Sequence, residues 1–230
     1  QLDFPGEDHQ RQSTVDDSSL RPWTEAAPDV FDPLLGQLKT LNLRAEADLT
    51  ARSAALLQLA TDLERDAALL ARLITMENGC PNAQSEALQV QSAVALIRSL
   101  VDQASEFAFT EVRSGARGGK VRIDRLPIGV ALGIVPCNVP IFLACLKLAT
   151  ALLAGCPVVL KPSPENVDSM ACFSRYLARM DLPAGAVNLI LGGRILGDHL
   201  VRNDVFRKVS FTGSSASGLA VAQLCAQRFA

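Results

Sequence analysis

The sequence predicts an α/β protein: a parallel sheet with flanking helices, preceded by N-terminal helices. From Ile128 onward, short strand-like runs alternate with helical stretches four times, and that alternation implies right-handed crossovers between parallel strands. The runs are almost continuously apolar, as strands covered on both faces must be. Hydrophobic residues make up 49% of the 230-residue chain against 20% charged, enough for a sizeable core.

The elements follow in order. Residues 1–40 are polar, with Pro5, Pro22, Pro28 and Pro33 scattered through most of their length, and are expected to form a poorly ordered tail. Residues 41–112 are expected to supply helices that pack on the sheet domain. From Asp48 to Thr75, Leu56, Leu59, Ala60 and Leu63 share one face, and Leu69, Leu70, Leu73 and Ile74 continue the pattern until Asn78-Gly79 stops it. A second helix is expected after Pro81, because Val90, Val94, Ile97 and Val101 recur at helical intervals. In residues 113–126 the glycines after Arg113 read as a turn, and Val121, Ile123 and Leu126 alternate with Arg122 and Arg125 like a half-exposed, charge-protected strand. The core occupies 127–230. Its strands are expected at 128–135, 158–160, 187–191 and 208–211, and its helices at 141–153, 167–180, near 197–202 and at 215–229.

Composition excludes several function classes. With 22 Lys and Arg against 24 Asp and Glu, the net charge of -2 gives no electrostatic case for nucleic acid. The six cysteines lack the paired short spacing of a zinc or dithiol site, so no metal is expected and the thiols read as reduced, in a cytoplasmic protein. Leu126 to Leu160 is nearly all apolar, yet Pro127, Pro136, Pro140 and Pro157 cut it well short of the ~20 residues a membrane span needs, so no membrane partner is expected. The opening Gln1 to Asp8 has neither a basic start nor an apolar core, and no secretory signal is expected.

Four loops end strand-like runs: 136–140 (Pro-Cys-Asn-Val-Pro), 161–165 (Lys-Pro-Ser-Pro-Glu), Gly192-Gly193 and 211–214 (Phe-Thr-Gly-Ser). In a parallel sheet these lie along one rim, where ligands of open sheets bind. Gly213 and Ser214 can cradle an anion at a helix N-terminus, or serve only as turn and cap. A P-loop is excluded because Leu219 stands where its Lys is required, and the Gly-x-Gly-x-x-Gly fingerprint is missing. Asn138 can donate to a developing oxyanion or cap the next helix. Lys161 can reach a ribose or phosphate or simply solubilise a strand end. Lys147, a charge within an apolar helix, can snorkel or, with a lowered pKa, carry protons.

In order and spacing these loops, together with Pro-x-Gly-Val at 127–130, Lys147, Ala154-Gly155, Val-Val-Leu-Lys-Pro-Ser at 158–163, Leu-Pro-Ala-Gly-Ala-Val-Asn at 182–188 and Gly218, resemble the N-terminal half of the NAD(P)-dependent aldehyde dehydrogenases. The likeness runs from Leu126 to about Phe229, weakens over 48–108 and hardly touches 1–40. It implies a Rossmann-like cofactor domain, an NAD or NADP cofactor and a small-molecule aldehyde substrate. The aldehyde would be oxidised to an acid through a cysteine thiohemiacetal and thioester. It implies Asn138 as the oxyanion donor and Lys147 in a proton-relay region. It also implies a dinucleotide crevice lined by Ile134, Val135, Pro136 and Cys137, Lys161 on the adenosine ribose, and Gly213 and Ser214 on the pyrophosphate. Ser163, Glu165, Gly193, Gly197, Phe211, Thr212 and Gly218 complete the implied cofactor-binding set. The segment near 120–126 matches an oligomerisation arm, which implies a homodimer or homotetramer for the complete enzyme.

Three departures bear on function. Cys137 replaces the usual aromatic residue before the motif asparagine. Pro164 stands where many NAD-preferring members place a glutamate, with Glu165 displaced by one, which leaves the choice between NAD and NADP open. The family's Glu-Leu-Gly-Gly glutamate and nucleophilic cysteine have no match before Ala230, so the chain is expected to be a fragment, inactive alone. A catalytically inactive nucleotide-binding piece or remnant is the alternative.

Overall fold

Helices on both faces of a parallel sheet bring the four loops to one rim in the computed structural model, which describes residues 8–13, 15, 16 and 19–228. The N-terminal region departs from the expected tail. Strands β1 (Asp8–Gln12) and β2 (Ser19–Thr24) pair antiparallel, and α1 (Asp32–Leu38) buries Leu35 and Leu38. Local composition concealed this because a hairpin depends on its partner strand, and Pro33 sits in the first turn of α1, where proline is tolerated. Residues 1–7, 14, 17 and 18 of that expectation lie outside the described residues.

After the short α2 (Leu43–Glu46), the single helix expected from Asp48 divides into α3 (Leu49–Arg65) and α4 (Ala67–Asn78). Asp48 caps α3 by accepting from the Ala51 amide at 2.8 Å. At the break, Asp66 leaves helical geometry with φ -103° and ψ 20°, and its carboxylate is held by Arg65 at 3.0 and 2.8 Å. No proline or glycine marks this site, so the apolar period ran through it. Gly79 ends α4 at φ 76°, a left-handed conformation that glycine adopts at little cost. Beyond α5 (Asn82–Gln84), a π-helical stretch over Ser85–Gln91 leads into α6 (Ser92–Glu106). Strands β3 (Thr110–Ser114) and β4 (Lys120–Asp124) form an antiparallel hairpin. The expected single strand thus has a partner, which begins inside the region expected to be helical.

The core elements are β5 (Val130–Ile134), α7 (Pro140–Leu153), β6 (Val158–Lys161), α8 (Val167–Leu177), β7 (Val187–Leu189), α9 (Arg194–Arg202), β8 (Phe206–Phe211) and α10 (Ser215–Ala226). The strands are parallel in the order β7-β6-β5-β8. Side chains alternate between two cores, as the two-residue strand period demands. Ala131, Val158 and Leu160 face α3, α4, α6, α7 and α8, while Val130, Leu132, Val159 and Phe206 face α1 and α9. The chain steps outward from β5 to β7, then returns to lay β8 on the other side of β5. The strand order therefore reverses at β5, the kind of switch point where open sheets form ligand crevices. No helix among the described residues is long and apolar enough to cross a membrane.

Candidate functional site

The crevice lies between the C-terminal ends of β5, β6 and β8. The Val135 amide donates to Lys161 O at 3.1 Å and the Thr212 amide donates to Ile134 O at 3.2 Å, so the three strand ends are stitched together where the loops begin. Ile134, Pro136 and Cys137 are half-buried along it. Where the resemblance implies a crevice lining, Val135 is instead 2% exposed and packed in the core, with its amide bonded to Lys161 O.

Pro140 opens α7 in the first-turn position that suits proline, and the residue in cap position is Val139, without a side-chain cap. Asn138 is thus not the cap of α7, and its side chain is exposed at the mouth of the crevice. What holds it is the backbone. Asn78 Nδ2 donates to the carbonyls of Cys137 (2.9 Å) and Asn138 (3.2 Å), and Gln89 Nε2 donates to Asn138 O (3.2 Å). Burial, and secondarily the charge of Glu165, pushes the Cys137 thiol pKa up from its ordinary value, which keeps it a neutral thiol and a poor nucleophile at neutral pH.

Lys147 crosses the sheet from α7 and donates to Ser210 Oγ and Thr212 Oγ1, both at 2.9 Å. Burial lowers its pKa. Its stem packs against Gly133, where an added Cβ would meet Lys147 Cδ at 3.2 Å and Leu160 Cδ2 at 3.0 Å. Lys147 therefore braces β8 rather than snorkelling to water.

Lys161 is 6% exposed, and its ammonium donates to Pro162 O at 3.3 Å. Burial lowers its pKa, and the carboxylates of Glu25 and Glu165 oppose that shift. The Ser163 hydroxyl donates to Glu165. Across from Lys161, Gly197 lies in the first turn of α9, with Lys161 Cε 3.8 Å from where its Cβ would stand. Gly193 occupies the cap position of α9, and its amide donates to Glu25 Oε1 at 2.6 Å.

Just past β8, a Cβ on Gly213 would stand 2.6 Å from the Phe211 ring, so only glycine lets the loop close over that ring; Gly218 also lies beside it. Ser214 caps α10, its Oγ accepting from the Ser217 amide at 3.2 Å and donating to Ser217 Oγ at 3.0 Å. The capping reading of Ser214 is thus realised, and the exposed Gly213-Ser214 turn remains beside the crevice. Glu25, Asn78 and Gln89 are the residues that sequence reasoning missed. The sequence marks Asn78 only as a helix stop, and nothing local marks the other two.

The family model for the aldehyde dehydrogenase family matches residues 40–230. Geranial dehydrogenase of Castellaniella defragrans (strain DSM 12143 / CCUG 39792 / 65Phen) is 35% identical over 183 residues, which are 80% of this chain and 38% of that protein. PnpE in complex with nicotinamide adenine dinucleotide superposes with a TM-score of 0.86 at 27% identity, covering 97% of this chain and 46% of its own, and PnpE from Pseudomonas sp. WBC-3 gives 0.87 at 26% identity, covering 97% and 46%. The NADP-dependent glyceraldehyde-3-phosphate dehydrogenase of Bacillus halodurans C-125, complexed with NADP, gives a TM-score of 0.86 at 25% identity, covering 95% and 47%. The chain thus spans less than half the length of these relatives. With a family match that runs from residue 40 to the last residue, and with loops in the family's order on the family's fold, this chain belongs to the aldehyde dehydrogenase family.

Proposed function

We propose that this chain supplies the dinucleotide site and the oxyanion donor of an enzyme that oxidises an aldehyde to a carboxylic acid with NAD or NADP. The observation that carries this reading is the convergence of Lys161, the first turn of α9 and the Phe211–Ser214 loop on the switch point beside β5, with Asn138 at its mouth.

The donor set fits a dinucleotide. Lys161 is a buried ammonium whose recorded hydrogen bond, to Pro162 O, is long at 3.3 Å, which leaves donor capacity for a ribose hydroxyl or a phosphate. Gly197 brings the α9 backbone close to it, and the exposed Gly213-Ser214 turn at the N-terminus of α10 offers backbone amides to a pyrophosphate. When bound, the dinucleotide would supply the acceptor for the hydride that leaves the aldehyde carbon. The chain's own residues prepare that step. Asn138 Nδ2 donates to the carbonyl oxygen as it becomes an oxyanion under thiol attack, a role suited to a side chain fixed through its backbone. Lys147 fixes the Thr212 end of the crevice through two hydroxyls.

The attacking cysteine has no match among the six of this chain, and the raised pKa of Cys137 speaks against its taking that role. That observation favours a second reading, in which the chain binds nucleotide without turnover. In the complete enzyme, the β3–β4 hairpin, with Val112 59% and Val121 50% exposed, would serve as the arm of a homodimer or homotetramer. The six free thiols suit the reducing cytoplasm.

Calorimetric titration of this chain with NAD and with NADP tests the site, and binding of at least one is expected. In the full-length enzyme Asn138→Ala should lower aldehyde turnover by ~10²–10³. Unchanged turnover would remove Asn138 from the oxyanion role, and no binding of either dinucleotide would remove the cofactor reading.

A further inference from the structure

The segment after β2 carries a carboxylate into the crevice from the far end of the sequence. The Gly193 amide donates to Glu25 Oε1 at 2.6 Å, a contact across 168 residues. Cβ atoms built on Gly192 and Gly193 would stand 3.1 and 3.0 Å from the Glu25 carboxylate oxygens, so the paired glycines are what let it approach. The same carboxylate acts on Lys161, whose Cε lies one helical turn along α9, 3.8 Å from the Cβ position of Gly197. Glu25 and Lys161 thus both lie against the first residues of α9, at the end of the crevice that the cofactor reading assigns to the adenosine. The other acid near Lys161, Glu165, is engaged by the Ser163 hydroxyl in its own loop.

We propose that Glu25 is the carboxylate that reads the adenosine ribose in this chain, favouring a free 2′-hydroxyl over a 2′-phosphate. The proposal rests on the cofactor reading above, in which Lys161 faces that ribose. A carboxylate beside Lys161 accepts hydrogen bonds from a ribose diol, a charge-assisted contact. Against a 2′-phosphate the same oxygens present like charge within a partly desolvated crevice, where repulsion is weakly screened. Pro164 itself carries no acceptor, and Glu25 adds a carboxylate from the N-terminal segment to that of Glu165, which also acts on Lys161 from the β6 loop.

The test is calorimetric titration of the chain and of Glu25→Gln with NAD and NADP, with Lys161→Met as a control. Wild type should bind NAD more tightly. Glu25→Gln, which keeps the shape and removes the charge, should shift the ratio of the two dissociation constants towards NADP by about tenfold or more. Lys161→Met should weaken both ligands. If Glu25→Gln leaves the ratio unchanged, the inference is wrong; equal tightening of both ligands would make Glu25 a mere occupant of the α9 terminus, and equal weakening a purely structural residue. If wild type binds neither dinucleotide, the cofactor reading itself fails and the inference goes with it. Lys161→Met that still binds both as wild type does would dissociate this end of the crevice from the cofactor and overturn both.

Discussion

At the scale of residues, the chemistry depends on placing one carboxamide. Asn138 gains nothing from helix capping, so its position is set by the three hydrogen bonds that Asn78 and Gln89 make to the carbonyls of Cys137 and Asn138. Asn78→Ala removes two of them, and Asn78→Asp keeps the shape while presenting an acceptor to two acceptors. In the full-length enzyme both variants should lower kcat by about ten- to a hundredfold, the scale on which small misplacements of reacting groups act. The dissociation constant for the dinucleotide should stay near that of wild type. A loss confined to cofactor affinity, or an Asp variant as active as wild type, would refute a positioning role for Asn78. Asn138 and Lys161 were visible as candidates in the sequence because each lies within a contiguous motif, and Lys147 because it is the lone charge of an apolar helix. Asn78, Gln89 and Glu25 were not, because their significance lies in contacts 59, 49 and 168 residues away. At Val135 the motif position implies a crevice residue, and the strand period turns its side chain into the core.

At the scale of elements, strands β5 and β6 were readable because they are short apolar runs closed by Pro or Lys, and burial on both faces leaves little choice of structure. Pairing-dependent elements were not. β1, β2 and β3 are polar and become strands only through their partners, while the break at Asp66 carries no breaking residue. The junction between the N-terminal helices and the sheet domain is likewise invisible locally. Glu77, 7% exposed near the end of α4, caps α8 from outside: it accepts from the Asp168 amide at 2.6 Å, from the Ser169 amide at 3.3 Å and from the Ser169 hydroxyl. A carboxylate there also complements the N-terminal charge of the helix. Glu77→Ala strands these donors in a buried site and should cost about 1–3 kcal/mol of stability, seen as a lower urea midpoint at unchanged slope. A shift within about 0.5 kcal/mol would mean the cap is replaced by water and the two parts are held by their shared apolar core alone.

At the scale of the whole molecule, the two faces of the sheet are not equally finished. On one face α7 and α8 are themselves covered by α3, α4 and α6, and Leu56, Leu59, Leu63, Leu70, Leu148 and Leu152 between them are fully buried. On the other, α10 buries none of its residues although its sequence, Ser-Ala-Ser-Gly-Leu-Ala-Val-Ala-Gln-Leu-Cys-Ala, is mostly apolar on every side. Val221, Leu224 and Cys225 lean on the core, while Leu219 is 62% exposed. A helix apolar all round belongs inside a larger body. Beside it β8 is an edge, pairing with β5 alone among the described residues, and an open edge next to an apolar helix is a template for association. Arg207 and Lys208 are exposed on that strand and oppose pairing only near its start, since Ser210 and Phe211 carry no charge. The chain expressed alone should therefore self-associate as concentration rises and bind a hydrophobic dye, and Leu219→Lys should weaken both effects without lowering the unfolding midpoint, because Leu219 contributes little burial. Light scattering after gel filtration decides the matter. A monomer at every accessible concentration, with no dye binding, would show that α10 and β8 are sealed by the residues this chain already has.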